Sequence, residues 1–135
     1  MRSIEPDWDD SRILYEKGWD AMHAGQLEAA IQLFEQSNRV DPHYKTCLHL
    51  GECLLRLRRH KDAIIPLAAA TALNRQGIAP FMLAEVYMTL GEPGKAHEFV
   101  TLAIERQPDL KRARELEPSI REAAERRIRD ICGDP

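Results

Sequence analysis

Histidine, cysteine and carboxylate side chains could carry chemistry in this sequence, and their spacing decides whether they could act together. The five histidines include no pair four residues apart and no glutamate at the spacing of a zinc protease. Cys47 and Cys53 are six residues apart, which turns them to different faces of a helix and prevents joint ligation or a disulfide. The turn at 91–94 lacks the flanking strand that a phosphate-binding loop needs. The sequence therefore predicts a protein that is not an enzyme, with no catalytic residue, no metal and no cofactor.

Composition narrows the classes of protein further. Aromatic residues make up only 6% of the 135 residues, and alanine, leucine, glutamate and arginine are frequent, which favours helices over a β-sandwich. The longest apolar stretch, 63–73, is much shorter than the roughly 20 residues of a membrane span. The acidic segment 1–10 has no apolar core of a signal peptide, and an odd number of cysteines fits a reducing compartment. We therefore expect a cytoplasmic protein that does not insert into membranes.

Basic residues form one dense cluster, at 56–61, where a turn between two helices is predicted. The chain as a whole carries a formal net charge of -3. Since nucleic-acid binding draws mainly on an excess of positive charge, we interpret the cluster as a solvated turn and expect no nucleic-acid partner.

A period of 33 residues organises most of the chain and defines three copies, 11–43, 44–76 and 77–109. Small residues recur at three positions of every copy, and one large apolar position recurs beside them. Small residues allow two helices to approach closely while a large residue fills the space next to them, so each copy predicts a pair of antiparallel helices. The aligned positions are Gly18, Gly51 and Ala84; Ala30, Ala63 and Ala96; Ser37, Ala70 and Ala103; and the larger Phe34, Leu67 and Val100.

Glycine and proline punctuation sets the predicted helix bounds at 10–24, 27–39, 43–57, 61–74, 79–90 and 93–106. Pro66 lies inside the fourth of these helices and predicts a kink or a late start there. After the third copy, an apolar stripe over 110–131 predicts a C-terminal capping helix that covers the sixth helix. Pro118, with Ser119 and Glu122 as a capping box, predicts that the cap is kinked or divided into two helices.

The pattern of small, large, glycine and proline positions resembles the tetratricopeptide repeat. The first copy carries the pattern at Gly18, Ala21, Gly25, Ala30, Phe34, Ser37 and Pro42, and the third copy at Ala84, Tyr87, Gly91, Ala96, Val100, Ala103 and Pro108. In the second copy, Arg58 replaces the turn glycine and Arg75 the closing proline. The resemblance implies an all-α fold in which three helix-turn-helix repeats form a right-handed superhelix with a C-terminal capping helix.

The resemblance also implies a function. The first helix of each repeat lines the concave face in this family, and exposed aromatic and methionine side chains there suit a peptide groove. The alternative is that some of these residues belong to the core, although Trp19 is expected to stay exposed. The candidate binding residues are Tyr15, Trp19 and Met22 in the first copy, Leu48, Glu52 and Leu55 in the second, and Phe81, Glu85 and Met88 in the third.

The predicted partner is a protein or peptide with apolar residues. Glu52 and Glu85 occupy the same position in adjacent copies and would receive one basic residue of that partner, unless Arg56 neutralises Glu52. The expected role is that of an adaptor or chaperone. A weaker resemblance, to the three-repeat chaperones of type III secretion translocators, gives one alternative, and a structural role as a homodimer through the curved face gives another.

Overall fold

The structure, a computed structural model, describes residues 8–133, and they contain seven helices and no strand. Each helix begins and ends within two residues of its predicted bounds, and the predicted all-α class is confirmed. Of the predicted acidic segment 1–10, residues 1–7 lie outside the described part. The helices are α1 (Trp8–His23), α2 (Leu27–Val40), α3 (Tyr44–Arg56), α4 (His60–Leu73), α5 (Ile78–Thr89), α6 (Pro93–Arg106) and α7 (Lys111–Cys132).

The chain divides into two compact units, and each is described by itself. The first unit ends at Leu73 and contains α1 to α4, in which α1 packs on α2, α2 on α3, and α3 on α4. The second unit begins at Asn74 and contains α5 to α7, in which α6 packs on both α5 and α7. The bounds of the three 33-residue repeats stay a prediction.

Small residues bring the paired helices together, as the repeat pattern predicts. All nine aligned small residues are buried. A Cβ atom added to Gly18 would lie 2.7 Å from Cε1 of Phe34, and one added to Gly51 would lie 2.5 Å from Cδ2 of Leu67. Phe34 and Leu67 are the large residues aligned by the 33-residue period, so the same close contact is built twice in the first unit.

The turns after α1, α3 and α5 share one backbone conformation. Gly25 and Gly91 have φ of 78° and 75°, and Arg58, at the same position of the middle copy, has φ of 58°. Each of these residues donates its N–H to a carbonyl three residues earlier, and the next residue donates to a carbonyl five residues earlier. This bond pair ends a helix in the left-handed region, where a Cβ atom is unfavourable.

Arg58 is therefore the strained member of the three turns. Replacing Arg58 by glycine is expected to stabilise the chain by about 1 kcal/mol, because glycine adopts positive φ without the steric cost that a Cβ atom carries there. Chemical denaturation followed by circular dichroism measures the change. Gly25→Ala, the reverse substitution at the equivalent turn, should destabilise by a similar amount; equal stability of all three proteins would contradict the assignment of strain.

Two buried serines join α1 to α2. The Ser37 hydroxyl donates to the Ser11 carbonyl at 2.8 Å, and the Ser11 hydroxyl lies 3.1 Å from Oγ of Ser37 and 3.2 Å from its carbonyl oxygen. Ser37 is fully buried and Ser11 nearly so. Burying a hydroxyl is costly unless it is hydrogen-bonded, and here each serine satisfies the other.

The prolines predicted to interrupt helices do not end them. Helix α4 begins at His60 and continues through Pro66, so the predicted late start is wrong. Helix α7 continues through Pro118 as one helix. The predicted capping box is also wrong: Oγ of Ser119 donates to the carbonyl of Leu116, and Glu122 accepts from Arg126 instead. In the interior of a helix, a serine hydroxyl turns back to a carbonyl because the backbone N–H groups it would cap are already bonded.

Helix α7 covers α6 with only part of its apolar stripe. Ala113 and Ile120 are fully buried and belong to the core of the second unit together with Ala96, Val100 and Ala103 of α6. The prediction that the whole stripe covers α6 is wrong at its end, because Ile128 and Ile131 are exposed. Helix α7 has 22 residues and α6 has 14, so the last turns of α7 extend past the length that α6 can cover.

Candidate functional site

The predicted binding residues divide into exposed, half-buried and buried groups. Trp19 is 39% exposed, as expected for the residue least suited to the core. Met22 and Phe81 are only 4% and 2% exposed, so the expectation that they line an open groove is corrected for these two. The half-buried residues are Tyr15, Leu48, Glu52 and Leu55 in the first unit, and Glu85 and Met88 in the second.

Helix geometry explains the two buried residues. Met22 lies four residues after Gly18 and eleven after Ser11, so it continues the stripe of α1 that packs against α2. Phe81 belongs to the core cluster of the second unit, and α7 places the Arg112 guanidinium 5.0 Å from the centre of its ring. The contact of the Arg112 side chain with Phe81 was not anticipated, and the burial of Phe81 removes it from the candidate surface.

An aromatic surface joins α1 to α3 in the first unit. The Trp19 ring lies 4.0 Å from the ring of His23 and 5.1 Å from the ring of His49, measured between centroids. The ring of Tyr15 lies 6.1 Å from His49. These residues, together with Glu52, are called the Trp19 face below. It presents an exposed indole held by contacts with two other rings, so this side chain has little rotamer freedom to lose when a partner binds.

His49 connects the members of the Trp19 face but is not among the binding residues predicted from the sequence. Its ring contacts Trp19, Tyr15 and Phe34, and its Nδ1 donates to the carboxylate of Glu52 at 3.2 Å. The available signal was its position next to Leu48 and three residues before Glu52, which places it on the side of α3 that meets α1.

The negative charge of Glu52 is already balanced by donors on its own helix, α3. Its carboxylate accepts hydrogen bonds from His49 and from Nη2 of Arg56 at 3.0 Å. The hydrogen bond from His49 and the charge of Arg56 lower the pKa of Glu52, against the effect of burial. Arg56 thus pairs with Glu52, which was the alternative to binding of a basic residue from the partner. Such a residue would have to compete with two existing donors.

Glu85 has a different environment in the second unit. Burial raises the pKa of Glu85, and the positive charge of Arg112 opposes that rise. A shallow cavity of about 260 Å³ lies beside the carboxylate, and its walls come from α5 and α7. Its lining residues are Phe81, Glu85, Arg112, Glu115 and Leu116. Arg112 therefore stands where a cationic side chain would have to enter.

Residues 8–133 contain no group of three histidine, cysteine or acidic residues placed to hold a metal ion. Within the same range, no helix is both long enough and apolar enough to cross a membrane. The three cysteines are unpaired thiols, and burial raises the pKa of Cys53 to about 11 and also raises that of Cys47. A high thiol pKa suppresses the nucleophilic thiolate, so neither buried cysteine is poised for chemistry.

A match in sequence agrees with the helical hairpins described above, with the small residues at their contacts and with the glycine turn after α5. Residues 81–110 match the family described as tetratricopeptide repeat. The chain therefore carries a tetratricopeptide repeat. The predicted family is thus confirmed over residues 81–110, and solved tetratricopeptide structures share the fold over most of the chain.

One relative and several solved structures are similar to this tetratricopeptide chain. The BBSome complex member BBS4 of Bos taurus is 28% identical over 86 residues, which are 63% of this chain and 17% of the relative. The chain thus spans about a sixth of the length of that relative.

Two solved structures share the fold over most of both chains. The first tetratricopeptide domain of Spaghetti (RPAP3), bound to the HSP90 peptide SRMEEVD, has a TM-score of 0.82 and 21% identity and covers 90% of this chain and 98% of its own. The type III secretion chaperone SycD of Yersinia enterocolitica, in complex with a peptide of the translocator YopD, has a TM-score of 0.72 and 23% identity and covers 87% and 91%. At these identities the likeness shows the fold alone.

Proposed function

We propose that the chain is a non-enzymatic interaction module that binds an apolar segment of another protein and acts as an adaptor or chaperone in the cytoplasm. The observation that carries the proposal is the Trp19 face, where a large indole remains 39% exposed although rings of α1 and α3 surround it. Tryptophan is among the residues that contribute most to protein interfaces, and the exposed part of this indole leaves contact area for a partner.

The chemistry of the surface suggests the chemistry of the partner. Tyr15, Trp19, Leu48 and Leu55 offer apolar contact area in the first unit, and we propose that apolar side chains of the partner pack there. For a basic residue of the partner we propose Glu85 in the second unit, where that residue would compete with Arg112, because Glu52 already accepts hydrogen bonds from two donors of its own helix. The fold neighbours RPAP3 and SycD, both solved with peptides, support peptide binding as the general function.

A chaperone of type III secretion translocators is the second candidate function. It is supported by the fold likeness to SycD, which was solved with a peptide of the translocator YopD. This alternative makes a separate prediction about the genome: genes for secretion components should lie beside the gene of this chain. Their absence would leave the more general adaptor role.

Replacing Trp19 by alanine tests the binding face. Peptides selected on the wild-type chain from a displayed library of random sequences are the probe. Their affinity for Trp19→Ala is expected to fall by about 30-fold, equal to about 2 kcal/mol, which is typical of a central interface tryptophan. Isothermal titration calorimetry measures the change, and Glu85→Gln in the same assay identifies any selected peptide whose basic residue contacts that carboxylate.

Ile13 provides a matched control on the same helix. It is another exposed large apolar residue of α1, six positions before Trp19 and therefore on a different side of the helix. Ile13→Ala should leave peptide affinity unchanged, and both variants should melt within a few degrees of wild type, because both side chains lie largely outside the core. A large loss of stability in Trp19→Ala with unchanged affinity would place Trp19 in the core and remove the proposed site.

A further inference from the structure

Helix α4 exposes a continuous apolar surface that peptide binding does not use. Ile65 is 80% exposed and Leu73 is 50% exposed, and they are the first and last members of a stripe along the outer side of the helix. Between them lie two exposed alanines and one half-buried alanine. The five residues are called the α4 outer face: Ile65, Ala68, Ala69, Ala72 and Leu73.

The repeat period shows that this surface is unusual within the chain. The equivalent residues of α2, 33 positions earlier, are Gln32, Glu35, Gln36, Arg39 and Val40, and those of α6, 33 positions later, are Glu98, Thr101, Leu102, Glu105 and Arg106. At three of the five positions, held by Ile65, Ala68 and Ala72, both other copies carry only polar or charged residues. The polar outer residues of α2 and α6 are those expected of a surface in contact with water, whereas the apolar outer residues of α4 are not.

The inner side of α4 is apolar as well. Ala63, Leu67 and Ala70 are fully buried, and Pro66 is buried beside them. A helix that is apolar on all sides is normally covered on all sides. Within the part of the chain that the structure describes, the inner side of α4 is covered and the outer side is not.

We propose that the α4 outer face is the interface with a second copy of this chain, with the two α4 helices packed antiparallel about a two-fold axis. When the axis passes between Ala68 and Ala69, the bulky Ile65 of each copy lies opposite the small Ala72 of the other. The alanines at the centre then face each other and allow the helix axes to approach closely. The surface is thus complementary in size to itself.

The charges around the face are compatible with this arrangement. The stripe from Ile65 to Leu73 contains no charged residue, so no like charges meet across the axis. The antiparallel orientation brings Lys61 and Asp62 of one copy to the carboxyl end of α4 in the other, where the last carbonyl groups carry partial negative charge and the basic Arg75 follows. Asp62, the acidic neighbour of Lys61, is already paired with Arg59 at 2.9 Å.

The size of the face sets the strength of the dimer. One isoleucine, one leucine and three alanines per copy bury much less than the roughly 1,600 Å² of a standard interface. The dimer is therefore weak. The fraction of chains in the dimer rises with protein concentration, and the monomer is folded on its own.

Sedimentation equilibrium of the full chain, from about 10 μM to about 1 mM, tests the proposal. The average mass of the wild type should rise from the 15.4 kDa of the monomer towards twice that value. Ile65→Glu should remain monomeric throughout, because it places a charge in the apolar contact. Ile131→Glu, an equal change at an isoleucine of α7 that is 73% exposed, is the control and should associate like wild type. A monomeric wild type at the highest concentration would overturn the proposal, as would a dimer that Ile65→Glu leaves intact.

A size exchange tests the arrangement itself. Ile65→Ala and Ala72→Ile should each weaken the dimer at least tenfold, the first by removing contact area and the second by forcing two isoleucines together. The double variant restores one large and one small side chain at each contact and should return to within about threefold of wild type. A double variant as weak as the single ones would overturn the antiparallel pairing of Ile65 with Ala72.

Discussion

Replacing Ala96 by leucine is expected to destabilise the chain by about 3 kcal/mol. Ala96 is fully buried in the core of the second unit with Phe81, Ala84 and Val100. Its methyl group lies where α5 and α6 approach each other, and three additional carbon atoms must push these helices apart or force neighbouring side chains out of their rotamers. Urea denaturation followed by circular dichroism gives the change in the free energy of unfolding.

Two further alanines calibrate this result. Ala63 is the equivalent residue of α4 in the first unit and is also fully buried, so Ala63→Leu should have an effect of similar size. Ala29 of α2 is exposed, and Ala29→Leu should change the stability by less than about 0.5 kcal/mol. Small and equal effects at all three positions would contradict the register of the repeat.

Replacing Gly51 by alanine is expected to cost about 2 to 3 kcal/mol, although alanine is the better helix former. The added Cβ atom would lie 2.5 Å from Cδ2 and 2.6 Å from Cγ of Leu67. Cγ is the branch point of a fully buried side chain, so relief requires movement of α4 relative to α3. The cost of this overlap exceeds the roughly 1 kcal/mol by which alanine is preferred within a helix.

Gly94 offers a control for the glycine substitution. It lies in the first turn of α6, and a Cβ atom added there meets nothing within 4 Å. Gly94→Ala should therefore be neutral or stabilising by up to about 1 kcal/mol. Thermal and urea denaturation of both variants separate the two effects. If Gly51→Ala were as stable as Gly94→Ala, the close approach of α3 and α4 would not be required by the fold.

The helices could be predicted from the sequence because close packing requires the same pattern of small and large residues in every copy. Each hairpin needs small residues at the contact and a large residue beside them, and three copies repeat the requirement. The conformation of Arg58 could be predicted only from its alignment with Gly25 and Gly91, since an arginine by itself gives no signal of a positive φ. The continuity of α4 through Pro66 could not be predicted, because it depends on packing that compensates for one lost hydrogen bond.

The candidate site was less predictable than the fold. The family pattern identifies the side of a helix but not what else packs on it, so it could not show that α7 covers Phe81. It also passed over His49, whose importance arises from contacts with Tyr15 and Trp19 across two helices. The Arg56–Glu52 pair lies within one helix and was foreseen as an alternative, whereas the burial of Phe81 and the contacts of His49 depend on several helices and needed the structure.

The hydrogen-bonded serines Ser11 and Ser37 make the pairing of α1 with α2 specific. Repeated hairpins of similar sequence can pair wrongly during folding, because any first helix fits approximately against any second helix. The positions equivalent to Ser37 are Ala70 in α4 and Ala103 in α6, and neither has a hydroxyl that could donate to the Ser11 carbonyl. A mispaired α1 would lose this buried hydrogen bond to the Ser11 carbonyl, which is costly. The serine pair thus favours the packing of α1 on α2 over its packing on α4 or α6.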